Sequence, residues 1–210
     1  MNYIDTISTD VLIIGGGPSG LAASIHLADI LKQRGHNERI LLIEKGSSIG
    51  SHILSGAVIK PSVFKELLPD VEFSEIPFNA KVTKDSMKWF TEKRAITVPF
   101  HLPYMSNKGN YVASLGQICK YLAIKAQEKG VEIYPGFAVD EILYKDGKVT
   151  GAKTKDTGLD HQGHQLENFQ AGTRIEAKIT IFAEGTRGSL AKCLLRSLTS
   201  TRTEMNRFTH

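Results

Sequence analysis

Gly15, Gly17 and Gly20 are spaced as G-x-G-x-x-G, after the apolar run "DVLII" and before a stretch of helical periodicity. A turn of this kind works through its backbone. The first glycine permits a tight turn, the second lets a pyrophosphate approach, and the third lets helix and strand pack closely. The helix that opens at Pro18 and Ser19 adds unpaired N–H groups and a positive dipole end. Glu44 ends a second apolar run, with Lys45 after it. It lies the ~20 or more residues downstream at which an acid holds ribose hydroxyls. The glycine pattern alone is as often a plain turn. With strand, helix and acid in order, it reads as a dinucleotide site.

The elements that must position these residues form one alternating α/β unit. "DVLII" (10–14) and "RILLIE" (39–44) read as buried strands, and Pro18 to about Arg34 as the helix between them. That makes a βαβ crossover of the ~30 residues such a unit needs. A second helix is expected over 115–129, with Leu115, Ile118, Leu122 and Ala126 on one face and Gly130 at its end. "VEIYP" is a strand, and Asp146-Gly147 marks a hairpin. "ITIFAEG" (179–185) is the last buried strand, followed by a short helix. Residues 46–109 are less regular and carry prolines at 61, 69, 77, 99 and 103. Short strands such as "AITVPF" (95–100) suit an inserted substrate-side layer.

The chain has 210 residues, 41% hydrophobic and 23% charged, enough for one large domain with a core. Its charge of +4 comes from basic residues interleaved with acids, so no nucleic-acid partner is expected. Two cysteines, Cys119 and Cys193, sit in helical segments and read as reduced structural thiols. "MNYIDTIST" has neither a basic n-region nor an apolar h-region, and no run of 18 apolar residues occurs. A cytoplasmic chain is the expectation.

FAD is favoured over a nicotinamide nucleotide. A Gly/Ser-rich loop, "EKGSSIGSHILSG", runs on from the acid, where a simple nicotinamide domain would turn to its next βα unit. A hairpin after the second helix and a strand ending in "FAEG" are also features of FAD domains of the glutathione-reductase type. The fold class expected is therefore α/β, a Rossmann-like FAD-binding domain with a β-hairpin crossover and an inserted β layer.

The chain resembles the N-terminal part of the electron transfer flavoprotein-ubiquinone oxidoreductases. The stretches that carry this are "DVLIIGGGPSGLAASIHL", "LLIEKGSSIGSHILSGAVIKP", "NKGNYVASLGQICKYLAIKAQEKGVEIYPGFAVDEILY" and "ENFQAGTRIEAKITIFAEGTRGSLAKCL". They cover most of 10–195. "SHILSGAVIKP", "GVEIYPGFA" and "TIFAEGTRGSLAK" are the discriminating ones. The resemblance implies an enzyme that passes electrons from reduced electron transfer flavoprotein to ubiquinone, peripheral on the inner face of the respiratory membrane. It divides the chain into an FAD-binding domain (1–60 and 105–195), an inserted segment on the quinone side (61–104) and an unmatched, disordered tail (196–210).

By the same resemblance Gly15, Gly17, Pro18, Ser19 and Gly20 surround the FAD pyrophosphate, and Glu44 with Lys45 meets the adenosine ribose. Ser55 and Gly56 approach the flavin, the Val139 backbone meets the adenine edge, and Ala183, Glu184 and Gly185 close over the cofactor. No residue is assigned acid–base catalysis. Where related flavoproteins often place an arginine on the second helix, this chain has Ser114. The family also carries a 4Fe-4S cluster, which needs four thiolates; two cysteines do not supply them. The expectation is a shortened or frame-shifted chain that does not reduce quinone by itself.

Other residues are read as structural. His52 and His101 are lone histidines, His161 and His164 in "HQGH" lack a third metal ligand, and Trp89 and Phe90 are expected to pack. Two alternatives stay open: another flavoenzyme of the superfamily, geranylgeranyl-reductase-like or a monooxygenase, and an inactive FAD-binding chain.

Overall fold

The computed structural model describes residues 5–98, 103–186 and 188–197. Strand β1 (Thr6–Ile14) leads through the glycine turn into α1 (Pro18–Gln33) and returns through β2 (Ile40–Glu44). Strand β3 (Gly56–Ile59), helix α2 (Ser62–Leu67), β4 (Phe78–Lys81), β5 (Lys88–Phe90) and β6 (Ala95–Thr97) follow. Strand β7 (Tyr111–Ser114) runs directly into α3 (Leu115–Glu128). The rest is β8 (Glu132–Pro135), the pair β9 (Val139–Lys145) and β10 (Lys148–Thr154), the pair β11 (Thr157–Leu159) and β12 (Gln165–Gln170), and β13 (Arg174–Phe182). A last helix, α4, occupies 189–197.

A six-stranded sheet in the order β8-β2-β1-β13-β10-β9 organises these elements. Strands β8, β2, β1 and β13 are parallel, β10 pairs antiparallel with β13, and β9 pairs antiparallel with β10. Strand β2 and the second half of β1 are apolar because both of their faces are covered. Val11, Ile13, Ile40 and Leu42 pack under α1 and α3 against Leu21, Ile25, Ile118 and Leu122. Leu12, Ile14, Leu41 and Ile43 face the other way, toward Ile142, Ala152, Ile175 and Leu190 of α4. At the β9–β10 turn, Asp146 (φ 51) and Gly147 (φ 73) are both left-handed, the conformation of a two-residue hairpin turn.

The two middle strands of the sheet are longer than their apolar runs suggest. β1 begins at Thr6, and β13 begins at Arg174 and pairs with it from Thr6↔Arg174 to Ile14↔Phe182. The polar half of each strand is held by this ladder.

The layer beside the main domain is a three-stranded sheet, β3-β7-β4. It joins β4, from the segment read as inserted, to β3 and β7, which the sequence reading assigns to the FAD-binding unit. Phe73, Phe78 and Tyr111 cluster there, with ring centroids 4.8–5.0 Å apart. Beyond it β5 and β6 pair as an isolated hairpin. Trp89 and Phe90 are 69% and 73% exposed on this hairpin, so the expectation that they pack is corrected. No apolar layer covers so short a ribbon. Pro99, Phe100 and His101 lie outside the described residues, as do 198–210 of the expected tail; its first two residues, Arg196 and Ser197, continue α4.

Candidate functional site

The carboxyl ends of β1, β2 and β13 meet at a cavity of about 420 Å³, lined among others by Gly15, Gly17, Pro18, Ser19, Glu44, Lys45, Val139, Ala183, Glu184 and Gly185. This is where ligands bind in open parallel sheets, and the volume is typical of a ligand pocket. Each glycine of the turn has its own reason. Gly15 has φ +114, and a side chain there would collide with the Ala183 carbonyl. A side chain at Gly20 would collide with the Gly15 carbonyl, which keeps α1 against the turn. A Cβ on Gly17 would meet nothing within 4 Å and would project into open space. Gly17 is also the N-cap of α1 and is extended (φ −80, ψ −178), with no side chain capping the helix. Its first N–H groups are thus left for a ligand.

From the sequence, Glu44 has a single role, as the acid that meets the ribose. Its side chain is 14% exposed, and both carboxylate oxygens are in use. Gly16 donates its N–H to Oε2 at 2.7 Å, and Gly46 donates to Oε1 at 2.8 Å. Each oxygen accepts one of these N–H groups and has capacity for a further donor. Gly16, passed over by the sequence pattern, is closely packed here: a Cβ would lie 2.5 Å from Ile49 Cδ1 and 3.1 Å from Glu44 Cβ, so the Ile49 side chain would have to move. The middle position of a triple glycine was the available signal.

The loop after Lys45 is fixed against α3. Gly50 has φ +81, and a Cβ on it would lie 2.7 Å from the Gly116 carbonyl. This backbone contact had no sequence signal, since it joins two distant segments. Behind it Cys119 is buried, and burial, with the Glu44 charge as a second cause, pushes its thiol up to about 11. Ser114 caps α3 by accepting the Gln117 N–H at 3.4 Å, and Leu115 is the residue that lines the cavity.

Glu184 lines the cavity, and its carboxylate caps α4 by accepting the N–H groups of Leu190 (3.4 Å) and Ala191 (2.9 Å). Gly20 is buried behind the turn. Ser55 and Gly56 are exposed and are not among the described residues lining the cavity; Gly56 opens β3 against Ser114. His52 does line it. His161 and His164 lie at the β11–β12 turn, where His164 Nδ1 is 3.1 Å from Asp160 Oδ2.

A family model described as pyridine nucleotide-disulphide oxidoreductase matches residues 9–193. The chain belongs to this family. It is 44% identical, over 90% of its length, to the mitochondrial electron transfer flavoprotein-ubiquinone oxidoreductase of Dictyostelium discoideum. It is 43% identical, over 89%, to the enzyme of that name from Homo sapiens. It spans about a third of these relatives, 31% of each. Among solved structures, a geranylgeranyl bacteriochlorophyll reductase-like protein of Thermoplasma acidophilum superposes with a TM-score of 0.58 at 26% identity, over 86% of this chain and 40% of that one. The Rossmann-like fold expected from the sequence is that of its family. No described helix is long and apolar enough to cross a membrane.

Proposed function

We propose that this cavity binds the ADP half of FAD and that the chain is the FAD-binding portion of an electron transfer flavoprotein-ubiquinone oxidoreductase. One observation carries the reading: the uncapped start of α1, the open space over Gly17 and the inward-facing Glu44 carboxylate share one cavity. The α1 N-terminus and the turn N–H groups face the pyrophosphate. Glu44 accepts from ribose hydroxyls through the lone pairs that Gly16 and Gly46 leave free, with Lys45 beside it. The Val139 backbone meets the adenine edge, and residues 183–185 border the cofactor. Ser55 and Gly56, at the edge of the β3-β7-β4 sheet, are assigned to the flavin side.

FAD held by these residues would supply the redox chemistry for electron transfer from reduced electron transfer flavoprotein to ubiquinone. The names of the relatives favour these two partners over those of other flavoenzymes. A 4Fe-4S cluster does not fit this chain, because Cys119 is buried in α3, Cys193 is exposed on α4, and four thiolates are needed. Peripheral membrane contact is assigned to the β5–β6 hairpin, where Trp89, Phe90 and Ile96 are exposed beside Lys88, Lys93 and Arg94. Aromatic and basic residues of this kind suit a membrane interface.

The test is to equilibrate the purified chain with FAD, remove the free cofactor, and read the visible spectrum. One flavin per chain is expected. A folded protein that is colourless after this treatment overturns the reading.

A further inference from the structure

His52 is not needed by the glycine turn, and the sequence offers it only as a lone histidine, yet its imidazole is built into the cavity wall. It is 59% exposed, and its Nδ1 stands 3.8 Å from Glu44 Oε1. That is too long for a direct hydrogen bond. It is, however, the separation at which a single hydroxyl oxygen fits about 2.8 Å from both partners. The loop that carries His52 is fixed by several contacts. Ser51 donates its N–H and its hydroxyl to the Ser48 carbonyl, at 3.2 and 2.8 Å. Ile53 donates to the Gly50 carbonyl at 3.1 Å, and Gly50 is held against Gly116. Gly46 leaves room for the ring, because a Cβ on that residue would lie 3.3 Å from His52 Nδ1.

We infer that His52 is a recognition residue for the adenosine half of the cofactor, sharing one ribose hydroxyl with Glu44. The inference rests on the dinucleotide reading of the cavity. The hydroxyl donates its proton to Glu44, whose two oxygens are otherwise occupied by the Gly16 and Gly46 N–H groups. The imidazole, carrying its proton on Nδ1, donates to the hydroxyl oxygen. Both groups are then satisfied by one ligand atom that neither protein partner supplies to the other. Lys45 and Glu184 also line this cavity.

The experiment measures binding of ADP, 2′-deoxy-ADP and 3′-deoxy-ADP by calorimetry to the wild-type chain, His52→Ala and His52→Gln. Losing one hydrogen bond should weaken ADP binding to His52→Ala up to about tenfold, with an unchanged Tm. His52→Gln, which keeps an N–H donor, should recover part of the loss. One of the two deoxynucleotides should bind the wild-type chain and His52→Ala equally, which identifies the shared hydroxyl. Equal ADP affinity in all three proteins overturns the inference while leaving the cofactor site intact. A loss of the same factor for all three nucleotides also overturns it, because the histidine would then act on something other than ribose. Failure of the wild-type chain to bind ADP sinks the dinucleotide reading itself, and this inference with it.

Discussion

The Gly16 N–H donates to the Glu44 carboxylate at 2.7 Å, so the acid expected to read a ribose is also the clamp that ties the glycine turn to the end of β2. A second bond from Gly46 fixes the start of the following loop. Glu44→Ala should therefore lose both affinity and stability. Leaving two part-buried N–H groups unpaired costs up to about 1–3 kcal/mol each in the folded protein. Urea denaturation and FAD titration on the same preparation separate the two effects. Unchanged stability would show that the N–H groups find other partners.

Gly17 and Gly20 separate binding from folding. Gly17 is extended and its Cβ position is open, so Gly17→Val should keep the wild-type Tm and take up no flavin. Gly20→Ala meets the Gly15 carbonyl and should lower Tm, since α1 must move off the turn. Thermal unfolding and flavin content of the two variants check this. A stable Gly17→Val that still binds FAD would remove the pyrophosphate from this turn.

The sequence carried the parts of the site whose reasons are local. A strand, a glycine turn and a helix start are written in consecutive residues, and so is the Asp146-Gly147 turn. Tertiary reasons were silent. The Gly50–Gly116 approach, the second role of Glu44 and the capping of α4 by Glu184 each join segments far apart in the chain. The polar half of β13 was missed because its order comes from pairing with β1 and not from its own pattern. Trp89 and Phe90 misled for the converse reason: large apolar residues are usually covered, and a two-stranded ribbon offers no cover.

At the opposite end of the sheet, Arg39 donates to Glu132 twice, Nε to Oε1 at 2.6 Å and Nη2 to Oε2 at 2.8 Å, joining β2 to β8. The Arg39 hydrogen bonds hold the Glu132 carboxyl below its ordinary 4.5. A carboxyl lowered by folding stabilises fully above that value and loses the contribution as pH falls through its folded-state pKa. Glu132→Gln should therefore flatten the fall of Tm below about pH 4.5, with a small effect at pH 7 because the pair is solvent-exposed. An unchanged acid limb would show that the pair contributes nothing to stability.

Thiol reactivity should divide the two cysteines. Cys119 is buried, with its thiol pushed up to about 11, and Cys193 is exposed. Ellman's reagent at pH 8 should titrate one thiol per native chain and two in guanidinium chloride. Two fast-reacting thiols in the native chain would contradict the packing of α3 against the sheet.

The most direct measurement of the site is an amide NMR titration of the labelled chain with ADP. The account predicts saturable shifts concentrated at Gly15–Gly20, at Glu44, Lys45 and Gly46, and at Ala183–Gly185. Shifts confined to the apolar groove formed by Ala23 and His26 of α1 with Val63 and Leu67 of α2 would contradict it, as would no shifts at millimolar nucleotide.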